Sequence, residues 1–212
     1  MLLIGMFDSP FVRPVAVSMK LLGIPFEHAN WSVGKDFERI REFNPLVRVP
    51  TLVLDDGSPL VDSFAILDYL DERAGEARAL LPQSGPERQA VLQIAAIATG
   101  AAEKGREQAY ERVFRPAGKR HPPWIERCSA QMHGGLGELN RICAKCGNGR
   151  WLVTDRISRA EIVLTSAFTF LTESVGLTEE AAPYPALRAL VARCEALPEF
   201  QSTRLAWAAP KG

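Results

Sequence analysis

Several positions in this sequence set a polar side chain at the head of a helix, and those are the places from which chemistry could be done. Ser9 precedes Pro10 and a run that reads as a helix, so its hydroxyl stands among amides that have no partner inside that helix. It could cap the helix, or be free for a ligand if Asp8 takes the capping role. Asp62 and Ser63 stand at the head of another predicted helix, where free amides and the positive end of the dipole can bind an anion. Asp62 could equally be an N-cap, worth about 1 kcal/mol. Cys143 and Cys146 form a CxxC, the spacing of a redox centre. That pair ends a predicted helix beside Gly147-Asn148-Gly149, and no strand-to-helix turn precedes it, so it reads as structural. Four cysteines and three histidines in 212 residues are too few for a dense metal cage or a disulfide framework, and reduced thiols are the default.

The elements that must position these groups fall into two halves. Up to about residue 80, short apolar runs alternate with helical patterns; after Pro82 the chain reads as helix with little strand signal. Residues 2–7 read as a strand ended by Asp8-Ser9-Pro10. Phe11, Val15, Met19 and Leu22 then recur at steps of four and three as one buried stripe, with Gly23 as the stop. Pro14 stands inside that helix, where a proline removes an amide, so the helix starts late or bends. Arg13, one turn beyond Ser9, reads as a solvated or interface arginine. Residues 24–29 read as a second strand, and 36–43 as a weak helix. Residues 50–54 and 59–61, joined by Asp55-Asp56-Gly57-Ser58, read as a hairpin, and 63–73 as a helix. Two prolines and a glycine between Leu80 and Pro86 mark a linker. Beyond it, helices are predicted at 87–113, 123–145, 159–175, 184–196 and 199–205, with Ser158 and Glu161 spaced as a capping box.

The bulk composition narrows the partners. Hydrophobic residues make up 47% of the chain and charged ones 24%, which suits a compact protein of one large or two small domains. Basic and acidic residues balance at 25 each, so no net field attracts nucleic acid or an anionic membrane, and a small or neutral partner fits better. The apolar windows at 90–102 and 162–171 fall short of the roughly 20 residues that span a bilayer. No secretory pattern opens the chain, and a cytoplasmic location is expected.

Three separated signals converge: Ser9-Pro10-Phe11 after the first strand, Arg48-Val49-Pro50-Thr51-Leu52 before the third, and Val61-Asp62-Ser63-Phe64-Ala65-Ile66 opening the third helix. In this order and spacing, with an all-helical second half, they resemble the glutathione transferase family. The nearest likeness is to bacterial members with a serine in the Ser9-Pro10-Phe11-Val12-Arg13 context. The resemblance covers nearly the whole chain. It implies an α/β plus all-α architecture: a thioredoxin-like N-terminal domain of order βαβαββα over residues 1–78, and an all-helical C-terminal domain over 86–212.

The same resemblance implies roles. The Val49-Pro50 bond would be cis, turning the valine main chain outward to pair with the cysteinyl backbone of glutathione; the alternative is an ordinary trans proline opening an edge strand. Asp62 and Ser63 would hold the γ-glutamyl carboxylate, and Lys35 and Arg48 fall where the glycyl carboxylate is often contacted. Ser9 would be catalytic. A thiol of pKa near 8.5 is mostly protonated at neutral pH, so its thiolate must be favoured by hydrogen bonds or charge. Thiol-transferring relatives carry cysteine at this position, and a serine forms no mixed disulfide. Phe11, Arg106, Tyr110, Phe114 and Trp207 are the implied electrophile pocket, although each aromatic alone fits a core position as well.

The implied activity is conjugation of glutathione, as co-substrate and without a metal, to a small hydrophobic electrophile, the chemistry of detoxification, in a homodimer. A noncatalytic protein-binding module on the same fold, and a glutathione-dependent reductase or peroxidase, are the competing readings.

Overall fold

The computed structural model describes residues 1–147, 149–178 and 183–209. Asn148, beside the CxxC, and residues 210–212 of the expected second domain lie outside the described residues. The first half runs β1 (Leu2–Ile4), α1 (Val12–Leu21), β2 (Glu27–Ala29), α2 (Phe37–Arg41), β3 (Thr51–Val53), β4 (Pro59–Val61) and α3 (Ser63–Ala74), the β-α-β-α-β-β-α order that the sequence implies. The second is helical: α4 (Gly85–Phe114), a 3-10 turn at Ala117–Lys119, α5 (Pro122–Cys146), α6 (Arg159–Ser174), α7 (Pro185–Glu195) and α8 (Pro198–Gln201). Among the described residues no helix is long and apolar enough to cross a membrane.

The sheet is mixed, in the order β2-β1-β3-β4. β1 runs parallel to β2 with Leu3 opposite His28, and antiparallel to β3 with Leu3 opposite Leu52. β3 and β4 close the hairpin with Leu52 opposite Leu60. The strands are shorter than the apolar runs that announce them. β1 ends at Ile4 because Gly5 takes φ +128°, a conformation that glycine adopts without steric cost.

The buried stripe predicted for α1 is too narrow. Val12 through Met19 are all buried, because α1 packs against α3 on one side and against α6 and α8 on the other. Phe11, read as core, instead lies half-exposed outside the helix. Arg13, read as a solvated or interface arginine, is 3% exposed. Its guanidinium donates to both carboxylate oxygens of Glu195 at 2.7 and 2.6 Å and to the Phe200 carbonyl at 3.0 Å. It is an interface arginine within the molecule.

A single apolar cluster runs from Leu3 and Leu52 of the sheet, through Val15 and Met19 of α1 and Ile66 and Leu70 of α3, to Ala98 of α4 and Ile162 and Leu171 of α6. α6 is buried on nearly every face, and its start is held by the capping box expected at Ser158 and Glu161. Ser158 Oγ accepts from the Ala160 amide at 3.2 Å, and the Glu161 carboxylate takes the Ser158 amide at 2.9 Å. The linker is stitched on both sides: the Leu80 amide donates to Asp71 at 2.6 Å, and the Arg159 amide donates to the Leu80 carbonyl at 2.8 Å.

Candidate functional site

The loop from β1 to α1 brings Ser9 to the head of the helix. Ser9 Oγ accepts from the amides of Phe11 and Val12 at 3.3 and 3.4 Å, and the Ser9 carbonyl accepts from Arg13 at 3.1 Å. The helical turn therefore starts at Ser9, with Pro10 in the first position, where a missing amide costs nothing. Regular helix begins only at Val12, because Pro14 has no amide to donate. Of the two candidate caps it is Ser9 that binds these amides. The Asp8 carboxylate turns instead to the C-terminal segment and accepts from the Ala208 amide at 3.4 Å. Burial pushes the Asp8 carboxyl up from its ordinary value, against hydrogen bonds that lower it.

Next to this helix lies the loop between α2 and β3. The Val49-Pro50 bond is cis, as the resemblance implied. A residue that the sequence reading overlooked organises this loop: Asn44, buried at 1% exposure. Its side-chain amide donates to the Arg48 carbonyl at 2.8 Å and to Thr51 Oγ1 at 3.1 Å, and its carbonyl accepts from the Leu46 amide at 3.0 Å. Val47, within this loop, has φ +50°, rare for a β-branched residue. Gly5 lets the two loops approach. A Cβ there would meet Val12 Cγ2 at 2.5 Å and Val49 Cβ at 2.8 Å.

At the third locus, the Asp62 carboxylate accepts from the Phe64 amide at 2.8 Å, so Asp62 is the N-cap of α3. It has φ +76°. Among the described residues, Val47 and Asp62 are the two non-glycine residues with positive φ; Asp62 lines a cavity, as do both chain neighbours of Val47, Leu46 and Arg48. Such strained positions concentrate at functional sites.

That cavity holds about 320 Å³. Phe11, Arg48, Val49, Pro50, Asp62 and Ser63 all line it, although they come from three separated stretches of chain. The opposing wall is made by α4, at Ala96, Thr99 and Glu103, and by Arg159 and Val163 of α6. Arg159 is almost fully buried, is paired with Asp71, and lies over the Phe64 ring at 5.7 Å. Nothing in its local sequence marked it, since its role comes from contact with α3.

Other sequence-predicted residues lie apart from the cavity lining. Ser9 does not line it, although the next two residues, Pro10 and Phe11, do. Lys35 is exposed ahead of α2, where its own amide is bonded to the Ser32 carbonyl at 3.1 Å. Arg106, Tyr110 and Phe114 form one stack along α4. The Arg106 guanidinium lies 5.6 Å from the Phe11 ring and 5.8 Å from that of Tyr110, and Phe114 meets Tyr110 edge-on at 5.1 Å. Phe11 thus joins this stack to the cavity. Burial pushes the Tyr110 hydroxyl above its ordinary pKa, although the charge of Arg106 acts the other way. Trp207 is partly buried against the core, its amide bonded to Glu173 at 2.7 Å, one residue before the strap to Asp8.

In the CxxC, Cys143 is buried and Cys146 half-buried, both as free thiols. Burial pushes the Cys143 thiol up to about 12, which suppresses the thiolate that redox exchange requires, and Cys146 Sγ donates to the Trp151 carbonyl at 3.1 Å. Among the described residues no group of three or more histidine, cysteine or acidic side chains could hold a metal.

A small mixed sheet carrying a cavity at the cis proline and at the tip of α3, backed by a helical half, defines the class. Residues 3–78 match the glutathione S-transferase N-terminal domain and residues 125–198 the C-terminal domain. The chain is 31% identical over 171 residues, 81% of its own length and 82% of the relative's, to the "Uncharacterized GST-like protein YibF" of Escherichia coli (strain K12). The chain belongs to the glutathione S-transferase family. It is also 33% identical to Glutathione S-transferase U1 of Arabidopsis thaliana, across 51% of this chain and 53% of that one. Among solved structures, a glutathione S-transferase of Methylobacterium radiotolerans in complex with glutathione sulfonate aligns with a TM-score of 0.90 at 26% identity, covering 100% of this chain and 97% of the other. One from Methylobacillus flagellatus with glutathione bound aligns at 0.87 and 26% identity, covering 95% and 98%.

Proposed function

We propose that this protein is a glutathione transferase that joins the sulfur of glutathione to a small electrophile. The observation that carries the reading is that Val49, Pro50, Asp62 and Ser63, distant in sequence, line one cavity, in a chain similar to structures that hold glutathione. In this reading the amide and hydroxyl of Ser63 and the positive end of α3 take the γ-glutamyl carboxylate. The main chain of Val49 pairs with the cysteinyl backbone, and Arg48, which lines the cavity, is favoured over Lys35 for the glycyl carboxylate. Ser9 donates its hydroxyl proton to the sulfur. Lowering a thiol by about two pKa units needs roughly 2.7 kcal/mol of preference for the anion, within reach of a charge-assisted hydrogen bond plus a helix terminus. The cleft then sets the thiolate against the electrophile, so that proximity completes the catalysis. A homodimer in the cytoplasm is part of the same proposal.

Titration calorimetry with glutathione tests the reading directly. Saturable binding at millimolar ligand or below is expected, and no binding would remove it. Where binding is found, aryl halides, hydroperoxides and disulfides separate conjugation from reduction. Turnover confined to hydroperoxides or disulfides would replace the transferase with the reductase or peroxidase, which Ser9 in place of a cysteine disfavours.

A further inference from the structure

One turn beyond Glu103, the last residue of α4 that lines the cavity, the guanidinium of Arg106 is held over two rings, Phe11 at 5.6 Å and Tyr110 at 5.8 Å. Because Phe11 also lines the cavity, this cation stands at the cavity's edge. Its hydrogen bonding is incomplete. Nη2 donates to Glu107 at 3.3 Å, on a carboxylate that is 39% exposed. Nε is buried without a partner among the described residues, and no bond is made there through Nη1. A planar cation stacked between rings is pre-organised, so it loses little freedom when it accepts a partner.

The charges felt by Tyr110 are of both signs, Arg106 and Arg48 positive and Asp8 and Glu107 negative, and Glu103 lines the cavity from α4. Asp8 accepts from the Ala208 amide, Glu103 is exposed, and Glu107 is paired with Arg106. Arg48 lines the cavity from the first half of the chain, and Arg106, from the second, stands beside Phe11 at its edge.

We infer that the second substrate is an aryl electrophile carrying a carboxylate, its flat apolar body lying against Phe11 and its carboxylate received by the open side of the Arg106 guanidinium. This rests on glutathione occupying the first part of the cavity. With an aryl halide bearing such a carboxylate, the thiolate sulfur forms the new carbon–sulfur bond and the carbon–halogen bond breaks with its electron pair to release halide. The thiol proton passes to solvent, and nothing is oxidised or reduced.

Two glutathione adducts test the assignment without turnover: S-phenylglutathione and S-(para-carboxyphenyl)glutathione, titrated calorimetrically beside glutathione itself. The wild-type protein should bind the carboxylated adduct about twofold to fivefold more tightly, the range of a partly screened charge pair. Arg106→Gln should bring that ratio to about one, and Arg106→Lys should keep part of it. The ratio cancels any loss common to both adducts, and glutathione reports whether each variant still folds around its first site. Equal affinity for the two adducts in the wild-type protein, or an unchanged ratio in Arg106→Gln, would overturn the inference and leave the transferase reading intact. Failure of wild-type protein to bind glutathione would sink both.

Discussion

The Oγ of Ser9 accepts two amides at the head of α1, so its acceptor capacity is used and its proton is what remains to give. Capping and thiolate stabilisation are therefore compatible, and the cap sets the direction in which the proton can point. Ser9→Ala removes both. The cap costs about 1 kcal/mol of stability, whereas a lost charge-assisted hydrogen bond of about 1.5–3 kcal/mol lowers turnover by roughly ten- to a hundredfold. The thiolate absorbance of bound glutathione, followed against pH, should titrate one to two units higher in the variant, by about the same free energy. An unshifted titration would assign Ser9 to the cap alone. Ser9, Asp62 and Ser63 were legible in the sequence because each marks a helix start, where residue type is read locally. Asn44, Gly5 and Arg159 were not. Asn44 works by reaching residues four and seven positions on, Gly5 by the approach of Val49, and Arg159 by pairing with a carboxylate 88 residues away. The cis bond before Pro50 came from the resemblance, since the residues themselves allowed either isomer.

At the scale of elements, helices were legible and their surroundings were not. α5 and α6 begin and end within one residue of the periodic patterns that predict them, because prolines, a capping box and glycine stops punctuate them. The strands shrank, since apolar runs continue past the point where ladder bonds end. What no local pattern carries is which helix faces meet. α4 and α6 cross at Gly105, where an added Cβ would stand 1.9 Å from Leu171 Cδ2, and Leu171 is fully buried. Gly105→Ala therefore sets two effects against each other. Alanine gains about 1 kcal/mol of helix propensity over glycine. Overpacking a tight core costs about 1–3 kcal/mol, and the side chain that must yield, Leu171, is 0% exposed. The expected net is a loss of about 1 kcal/mol in urea unfolding. The same substitution at Gly134, where an added Cβ meets nothing within 4 Å, should stabilise by up to about 1 kcal/mol. A stabilised Gly105→Ala protein would show that the α4–α6 contact yields more easily than its geometry implies.

Besides the shared apolar cluster, ionic ties cross between the halves of the molecule, Arg13 with Glu195 and Asp71 with Arg159. In the first, Arg13 is 3% exposed and Glu195 22%, so the pair is shielded from most of the screening that weakens surface pairs. Glu195 also accepts from Thr169 at 2.6 Å. Burial by itself would raise the Glu195 carboxyl, but the hydrogen bonds from Arg13 and Thr169 and the charge of Arg13 outweigh it and hold the group below its ordinary value of 4.5. The sign of the pH dependence follows. A carboxyl that binds its proton less readily in the native state than in the unfolded one stabilises the fold fully above its ordinary value, and that contribution is lost as pH falls through the lower native value. Glu195→Gln leaves the buried Arg13 without a counter-charge and should cost about 3 kcal/mol at neutral pH. The gap between variant and wild type should stay constant down to about pH 4.5 and then narrow as the wild-type carboxyl takes up its proton. Because Arg13 lies four residues beyond Ser9 on the same helix, the loosened tie should also weaken glutathione binding in Glu195→Gln, though less than it weakens the fold. Urea midpoints for both proteins from pH 7 downward decide the matter: a gap that keeps its neutral-pH size below that point would mean the carboxylate charge of Glu195 is not what ties the two halves together.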